Sequence, residues 1–263
     1  LLDNHIVDGI IQVMADPNNP IETVAVCSTT CEELKQRCGS RYVSSSPLRD
    51  IFTLISKDKK YAFVGKPCDV TALRNYSEKC SLVKEGIKVY LSFFCAGAPS
   101  RHANIDLLKQ LGTDIDKCVS LRYRGNGWPG YATATDVNNK TYQMEYEKAW
   151  GKILGRDIRP ICRFCVDGIG EMADIACGDA WYLNDDGKPS FQEGAGRNVV
   201  FSRTLIGNEI VEAAKEEGYI MLEEYSEWKQ QLDHIQKYQL QRRTSMNATL
   251  LAMKLFRRKV PKY

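Results

Sequence analysis

Residues 61–69 read Tyr-Ala-Phe-Val-Gly-Lys-Pro-Cys-Asp, an apolar run that passes at once into a polar turn. A short apolar run bounded by glycine and proline predicts a buried strand. The pattern of residues 69–76 is typical of a helix, so we expect Cys68 at a strand-to-helix turn, where backbone N–H groups point outward. A strand that turns directly into a helix is typical of α/β folds.

Strands and helices alternate on both sides of this stretch. Further strands are predicted at residues 6–14, with a break at Gly9, at residues 24–27 and at residues 87–94. Further helices are predicted after a capping box at Thr30 and Glu33, ending at Gly39, at residues 46–55 and around residues 105–111. Repeated strands separated by helices predict an α/β fold, with a mixed sheet covered by helices.

The pattern changes after Cys118. Short strands are predicted at residues 119–123, 131–136 and 141–146, with Asn138-Asn139 as a hairpin turn, so residues 118–150 are interpreted as a β-rich insertion. A loop at 184–197, a strand at 199–203 and a helix at 207–217 follow. Residues 228–255 predict a long helix, which divides the chain into an α/β domain at 1–227 and a C-terminal helical tail at 228–263.

Composition excludes several classes of protein. The chain has 263 residues, 43% of them hydrophobic, which suits a globular fold with a substantial core. With 36 basic and 33 acidic residues the net charge is only +3, so nothing indicates nucleic-acid binding. The C-terminal part is locally basic, which predicts a solvated helix face or tail, or alternatively a surface that docks a partner or a membrane.

The chain is expected to be cytoplasmic. It has no run of roughly 18 apolar residues that could span a bilayer, and no signal peptide precedes the first strand. Because Leu1 enters a strand-like run without an initiator methionine, we interpret the sequence as the interior of a longer protein. In a reducing compartment its ten cysteines are expected to be thiols or metal ligands rather than disulfides.

Four of the cysteines lie in polar turns marked by glycine rather than in apolar runs. They are a CxxC pair, Cys162 and Cys165, and two lone residues, Cys68 and Cys95. Four thiolates suit either zinc or an iron–sulfur cluster. Zinc ribbons usually bring two CxxC pairs, so a set split between two distant strand ends favours a cluster; zinc and unrelated buried thiols remain alternatives. A thioredoxin-type redox pair is disfavoured because residues 157–161 do not resemble a strand.

A second candidate site lies at residues 122–130, Arg-Tyr-Arg-Gly-Asn-Gly-Trp-Pro-Gly. Arginine offers forked donors to phosphate, glycine permits close approach of the backbone, and tryptophan offers a flat face to an aromatic ring. These properties suit a flavin or a nucleotide, although a tight turn beside a core tryptophan is an equal alternative. The predicted cofactor-binding residues are Ser40, Tyr42, Gly65, Arg122, Arg124, Asn126, Trp128, Gly130 and Asp179.

Hydrolase chemistry is not indicated. None of the three histidines lies in a context that suggests a triad, and GxSxG, HExxH and Walker A motifs are absent from the sequence. The carboxylates of Asp167, Glu171, Asp174 and Asp179 are interpreted as caps or as acceptors for nearby N–H groups, although paired acid–base carboxylates are an alternative. We therefore predict no catalytic side chain from the sequence.

Several motifs in the same order resemble the beta subunit family of coenzyme F420 hydrogenases and dehydrogenases. The motifs are Gly-Lys-Pro-Cys at 65–68, Phe-Cys at 94–95, residues 122–130, residues 162–181, the glycine-rich loop at 194–197 and Arg-Thr at 203–204. The resemblance implies an oxidoreductase with FAD and a four-iron four-sulfur cluster held by the four cysteines. Such a protein passes electrons between a hydride carrier, coenzyme F420 or similar, and a ferredoxin or iron–sulfur subunit.

The resemblance also distinguishes this chain from some of its relatives. Lys66, Asp69 and residues 95–97 look similar to bacterial members of the family. Many relatives carry a ferredoxin-like domain upstream of the region that corresponds to Leu1, so we expect this chain to depend on such a domain or on a partner for electron transfer. Two alternative functions are a flavin-dependent reductase of an organic substrate that uses reduced ferredoxin, and a zinc-stabilised binding module.

Overall fold

A computed structural model describes residues 1–223 and 228–260. Within these ranges the strands are β1 Gly9–Asp16, β2 Asn19–Ser28, β3 Tyr61–Gly65, β4 Ile87–Phe93, β5 Cys118–Arg122, β6 Tyr131–Asp136, β7 Thr141–Glu145, β8 Ile175–Asp179 and β9 Asn198–Ser202. The α-helices are α1 Cys31–Arg37, α2 Ile51–Leu54, α3 Pro67–Ser77, α4 Ser81–Gly86, α5 Arg101–Leu111, α6 Leu205–Glu216, α7 Trp228–Ile235 and α8 Lys237–Leu255. A π-helical turn spans Glu147–Ile153, and short 3-10 turns span Leu154–Arg156 and Pro160–Phe164.

The larger sheet has six strands in the order β2-β1-β3-β4-β8-β9. Strands β1, β3, β4 and β8 are parallel, whereas β2 and β9 pair antiparallel at the two edges. The predicted mixed α/β sheet is therefore confirmed. Because the inner strands are parallel, the carboxyl ends of β3, β4 and β8 meet along one edge of the sheet, the usual place for a binding site in such folds.

The predicted turn from β3 into a helix is also confirmed. Most apolar residues of β3 are buried, Phe63 completely, and Val64 is partly buried. Pro67 occupies the first turn of α3, where its missing N–H costs no hydrogen bond. Cys68 therefore lies in that first turn, next to the end of β3.

The predicted β-rich segment forms a second sheet, β5-β6-β7, which is antiparallel throughout. Asn138 and Asn139 lie in the β6–β7 hairpin, as predicted, and Asn139 has a φ of 60°. Helix α5 packs on this sheet, and its Leu107 and Leu108 are fully buried beside Tyr123. The sheet and the helix together form a core of their own next to the larger sheet.

Asp174 joins three elements beside the larger sheet. Its side chain is 5% exposed and accepts hydrogen bonds from the Tyr90 backbone N–H at 2.7 Å and the Thr204 hydroxyl at 2.8 Å. It also pairs with Arg74 at 3.0 Å. Asp167 accepts from the backbone N–H groups of residues 169–171. Both carboxylates therefore hold nearby N–H groups, as the sequence suggested.

Three predicted elements differ from those observed. The first strand begins at Gly9 instead of breaking there, because Gly9 packs so closely on β2 that an added Cβ would lie 2.5 Å from Cys27 Sγ. Residues 47–50 form a turn rather than the start of a helix, so only Ile51–Leu54 is helical in that segment. The long C-terminal helix is two helices, since Gln236 leaves the helical conformation with φ −121° and ψ 40°.

No helix in the described ranges is both long and apolar enough to cross a membrane.

Candidate functional site

All four predicted metal-binding cysteines lie at the carboxyl edge of the larger sheet. Cys68 is in the first turn of α3, and Cys95 comes two residues after β4 ends. Cys162 lies in the 3-10 turn Pro160–Phe164, and Cys165 follows that turn directly. Because β3 and β4 are parallel neighbours, their following turns bring Cys68 and Cys95 to adjacent positions.

Electrostatic interactions connect the four thiols. Burial raises the pKa of Cys68 to about 12, and Asp69, Cys95 and Cys165 act in the same direction. Burial also raises the pKa of Cys95, to which Cys162 contributes. Cys68 is nevertheless exposed at the surface, so its thiol is only partly shielded from solvent. The four side chains therefore lie in one neighbourhood, through the pairs Cys68–Cys95, Cys68–Cys165 and Cys95–Cys162.

Two loops carry three of these cysteines and are joined by backbone contacts. The Cys95 N–H donates to the Gly168 carbonyl at 2.8 Å, and the Ala98 N–H donates to Cys162 Sγ at 3.4 Å. Gly97 has a φ of 120°, and an added Cβ there would lie 3.3 Å from the Cys162 Cβ. A glycine at this position therefore allows the two loops to approach.

The spacing and type of the donors bear on which group they could hold. In residues 1–223 and 228–260, no three His, Cys, Asp or Glu side chains lie close enough together to hold a single metal ion. A zinc ion would need every sulfur at about 2.3 Å. Cysteines that bind an iron–sulfur cluster ligate different irons, so their sulfurs lie farther apart. Four thiols without a histidine are a donor set found both in zinc sites and in iron–sulfur clusters.

An ion pair forms the second part of the site. Arg124 Nη1 lies 2.7 Å from Asp179 Oδ2, and Nη2 lies 3.0 Å from Oδ1. The Trp128 indole N–H donates to the same Oδ1 at 2.9 Å. Burial alone would lower the pKa of Arg124, but its hydrogen bonds with Asp179 raise it above the usual value. Because Asp179 is the last residue of β8, this pair lies at the same sheet edge as the cysteines.

Aromatic rings surround the ion pair. The Arg124 guanidinium lies 5.1 Å from the ring centre of Tyr146 and 5.4 Å from that of Trp181. Trp128 stacks on Trp181, with ring centres 4.7 Å apart. Burial raises the pKa of Tyr42, whose hydroxyl interacts with Arg124 and with Ser40. Five predicted cofactor-binding residues are therefore brought together: Ser40, Tyr42, Arg124, Trp128 and Asp179.

The remaining four predicted residues, all within the described ranges, form no side-chain hydrogen bond or ion pair with Arg124 or Asp179. Arg122 and Asn126 are exposed, and Gly65 lies at the end of β3 beside Cys68. An added Cβ on Gly130 would overlap the Gly125 carbonyl group, and Gly130 has a φ of 74°. Only glycine suits that turn, so the local backbone already requires Gly130 without a ligand.

A recess of about 390 Å³ opens next to the aromatic group. Its wall includes Gly130, Tyr146, Phe191 and Glu193. Glu193 accepts a hydrogen bond from the Gly130 N–H at 3.0 Å, which ties the loop at 184–197 to the turn at 122–130. The volume lies toward the small end of the range for ligand pockets.

Sequence reasoning missed three residues that contact both parts of the site from the C-terminal helices. The side-chain amide of Gln236 donates to the Asp179 carbonyl at 2.8 Å, and that of Gln239 donates to the Cys95 carbonyl at 3.0 Å. Arg242 donates to the carbonyls of Cys95 and Cys165, each at 3.1 Å. Gln239 and Arg242 lie three positions apart on α8 and so share one side of that helix, and this spacing was the available signal.

We predict that Arg124→Ala destabilises the protein by about 3 kcal/mol, because the change leaves the carboxylate of Asp179 without its cation in a shielded position. Urea unfolding of the protein would measure the loss. Arg122→Ala is the matched control, since Arg122 is exposed, and should change the free energy of unfolding by less than about 0.5 kcal/mol. Equal effects of the two substitutions would contradict a stabilising role for the Arg124–Asp179 ion pair.

Two family models match the chain. Residues 58–227 match the model for the C terminus of the coenzyme F420 hydrogenase/dehydrogenase beta subunit, and residues 1–52 match the model for the N terminus of the same beta subunit. Ser40 and Tyr42 lie in the N-terminal match, and the other seven predicted cofactor-binding residues lie in the C-terminal match. Together the two matches cover most of the chain and both parts of the candidate site.

Curated relatives are similar along most of the chain. The chain is 26% identical over 257 residues to coenzyme F420 hydrogenase subunit beta of Methanococcus voltae, an alignment that covers 92% of this chain and 80% of the relative. It is 24% identical over 240 residues to F420-dependent formate dehydrogenase subunit beta of Methanocaldococcus jannaschii, covering 86% of this chain. The chain spans only 55% of the length of that second relative.

A solved structure shares the fold. A chain in the xenon-derivatised F420-reducing NiFe hydrogenase complex from Methanosarcina barkeri superposes with a TM-score of 0.69. The match covers 99% of this chain and 85% of that chain at 19% sequence identity. At this identity the likeness establishes the fold alone.

Proposed function

The chain belongs to the coenzyme F420 hydrogenase/dehydrogenase beta subunit family, and from this we propose that it passes electrons between a hydride carrier and a partner redox protein. The carrier is coenzyme F420 or a similar deazaflavin. The proposed cofactors are FAD and a four-iron four-sulfur cluster. One observation supports the proposal: four cysteines from three segments lie near one another at the carboxyl edge of the sheet, the edge at which Asp179 ends β8.

The two cofactors, when bound, would convert a hydride into single electrons. The chain's own residues would hold them in place. Cys68, Cys95, Cys162 and Cys165 would supply the thiolates, and the raised pKa values of Cys68 and Cys95 mean that binding must release protons from these two thiols. Loop contacts between residues 95–98 and 162–168 would set the spacing of these ligands.

Arg124 has a positioning role in this proposal. Both of its terminal nitrogens already contact Asp179, and Asp179 also accepts from Trp128. The pair therefore fixes the wall of a flavin pocket rather than offering a free fork to phosphate. Ser40, Tyr42 and the aromatic rings nearby would complete that wall and exclude water. Arg122 and Asn126, which are exposed, would border the pocket mouth.

Partner subunits are implied by the family, whose members here are beta subunits of hydrogenase and formate dehydrogenase. We propose a ferredoxin or an iron–sulfur subunit as the partner of this chain. Exposed Lys254, Arg257, Arg258 and Lys259 near the end of α8 provide a positive surface for such a partner. Arg242 is not part of that surface because it is 8% exposed.

Anaerobic purification followed by reduction tests the proposal. The holoprotein should contain iron, sulfide and flavin, and reduced coenzyme F420 should bleach its visible spectrum. Reduction by reduced ferredoxin but not by reduced coenzyme F420 would instead favour the reductase of an organic substrate. Stoichiometric zinc without iron or flavin would contradict the proposal and favour a zinc-stabilised binding module.

A further inference from the structure

A row of polar side chains, from the junction of α7 and α8 through the first two turns of α8, covers the cysteine loops. Gln236, Gln239 and Arg242 donate to main-chain carbonyls at three places on the sheet edge: the end of β8, the loop after β4 and the CxxC turn. We call these three residues the carbonyl clamp. Carbonyls in irregular loops need such donors when they are shielded from water. The clamp therefore connects segments that are far apart in sequence.

Arg242 is the centre of the clamp. Its side chain contacts two of the four cysteines through their carbonyls, with Nε and Nη2 on Cys165 and Nη1 on Cys95. The residue is 8% exposed, although arginine is rarely buried without a partner. Planar forked donors suit two acceptors in neighbouring loops, a geometry that lysine cannot reproduce.

The charge of Arg242 has no carboxylate partner. Among residues 1–223 and 228–260, the ion pairs of the structure do not include it. A buried charge is costly unless an opposite charge lies nearby. The positive charge of Arg242 acts to lower the pKa of the Cys95 thiol, and Lys66 acts in the same direction. Lys66 is paired with Asp69 at 2.6 Å, whereas Arg242 has no carboxylate partner in the part of the chain that the structure describes.

Close packing fixes the position of the neighbouring Gln239. An added Cβ on Gly168 would overlap the side-chain amide of Gln239, and Gly168 accepts the Cys95 N–H through its carbonyl. Gln239 is 8% exposed. A side chain at position 168 would thus displace Gln239 from the Cys95 loop without changing any charge.

We propose that Arg242, supported by Gln239, is a positioning residue that fixes the Cys95 and Cys165 loops and places a positive charge beside these two cysteines. The proposal rests on the function proposed above, because the charge is assigned to an iron–sulfur cluster. Reduction adds one electron to a group that four thiolates already make electron-rich. A nearby cation stabilises the reduced form and raises the reduction potential.

Amide hydrogen exchange, measured on the protein without cofactors, tests whether Arg242 and Gln239 hold the cysteine loops in place. Arg242→Gln and Gly168→Ala should each accelerate amide hydrogen exchange at residues 95–98 and 162–168 by about tenfold or more, because each removes donors from these loops. Lys254→Gln is the matched control: it lies on the same helix, is exposed and makes the same change in charge. Unchanged exchange in both clamp variants would overturn the positioning role.

The reduction potential of the cluster in the anaerobically reconstituted protein tests whether the charge of Arg242 stabilises the reduced form. In a titration followed by electron paramagnetic resonance, Arg242→Gln should lower the ratio of reduced to oxidised cluster about tenfold at a fixed potential, which is ~59 mV for one electron. Gly168→Ala and Lys254→Gln should shift it much less, and Arg242→Lys should restore most of the ratio. An Arg242→Gln protein with a full cluster and the wild-type potential would overturn the charge assignment.

Failure of the proposed function is separable from failure of this inference. If the wild-type chain takes up no iron and sulfide, both the proposed cluster and the proposed effect of the Arg242 charge are wrong. Hydrogen exchange still decides whether the clamp holds the loops, since that measurement needs no cofactor.

Discussion

Cys95→Ser is expected to lower bound iron and sulfide at least about tenfold, the largest effect of any single substitution in the site. Cys95 contacts several parts of the site. Its thiol interacts with Cys162, its N–H donates to Gly168 and its carbonyl accepts from the clamp. A serine hydroxyl keeps the size of the side chain but is a poor ligand for iron. Iron and sulfide analysis after anaerobic reconstitution would measure the loss.

Cys38→Ser is the matched control for that substitution. Cys38 is exposed, follows α1 and lies outside the group of four. It should retain wild-type iron, and both variants should unfold at the same urea concentration. If Cys95→Ser kept its iron while Cys38→Ser lost it, the assignment of the ligands would be wrong.

Asp174→Ala is expected to reduce the free energy of unfolding by about 3 kcal/mol or more. The substitution leaves the buried Tyr90 N–H and the Thr204 hydroxyl without their acceptor, and it leaves Arg74 without its carboxylate. Each buried donor without a partner costs about 1–3 kcal/mol. Removing one member of a buried pair adds the cost of the remaining charge, which is moderated here because Arg74 is 30% exposed.

Urea unfolding would measure this change, with Asp114→Ala for comparison. Asp114 also pairs with a cation, Lys117, but both side chains are exposed, so its loss should cost less than about 1 kcal/mol. Asp174→Asn should fall between wild type and Asp174→Ala because it keeps one acceptor oxygen. A loss below that of Asp114→Ala would contradict a central role for Asp174.

The sequence predicted those parts of the fold that depend on local pattern. The run at residues 61–69 predicted β3, its turn and α3, because an apolar strand, a proline and a helical pattern follow one another directly. The hairpin at Asn138 and Asn139 was predicted for the same reason, since asparagine tolerates positive φ. The capping box was also correct: Thr30 accepts the Glu33 N–H at 3.2 Å.

Elements set by distant contacts were predicted less well. Residues 46–55 have a helical pattern, but Leu48, Ile51 and Ile55 reach the core through a turn and a single helical turn. Gly9 suggested a break in the first strand, whereas its lack of a side chain allows close packing on Cys27. Tertiary packing overrode local preference in both cases.

Part of the candidate site was predictable in the same way. Cys68 and Cys95 could be predicted as ligands because they lie in glycine-marked turns after strands. Parallel strands bring such turns to one edge of the sheet. Arg242 could not be separated from the other basic residues of the tail by composition. Its difference is burial against the cysteine loops, which depends on how α8 folds back on the sheet.

The return of α8 to the sheet edge has a consequence for how fast the site can form. Arg242 and the Cys95 carbonyl are 147 positions apart in the chain, and Gln239 is 144 positions from the same carbonyl. Contacts between such distant positions require closure of large loops before they contribute any stability, and proteins rich in them fold slowly. We therefore expect the loops that carry Cys95 and Cys165 to reach their final spacing late in folding, once α8 has docked on them. If the chain holds the proposed cluster, its insertion is expected to follow the docking of α8 on the cysteine loops.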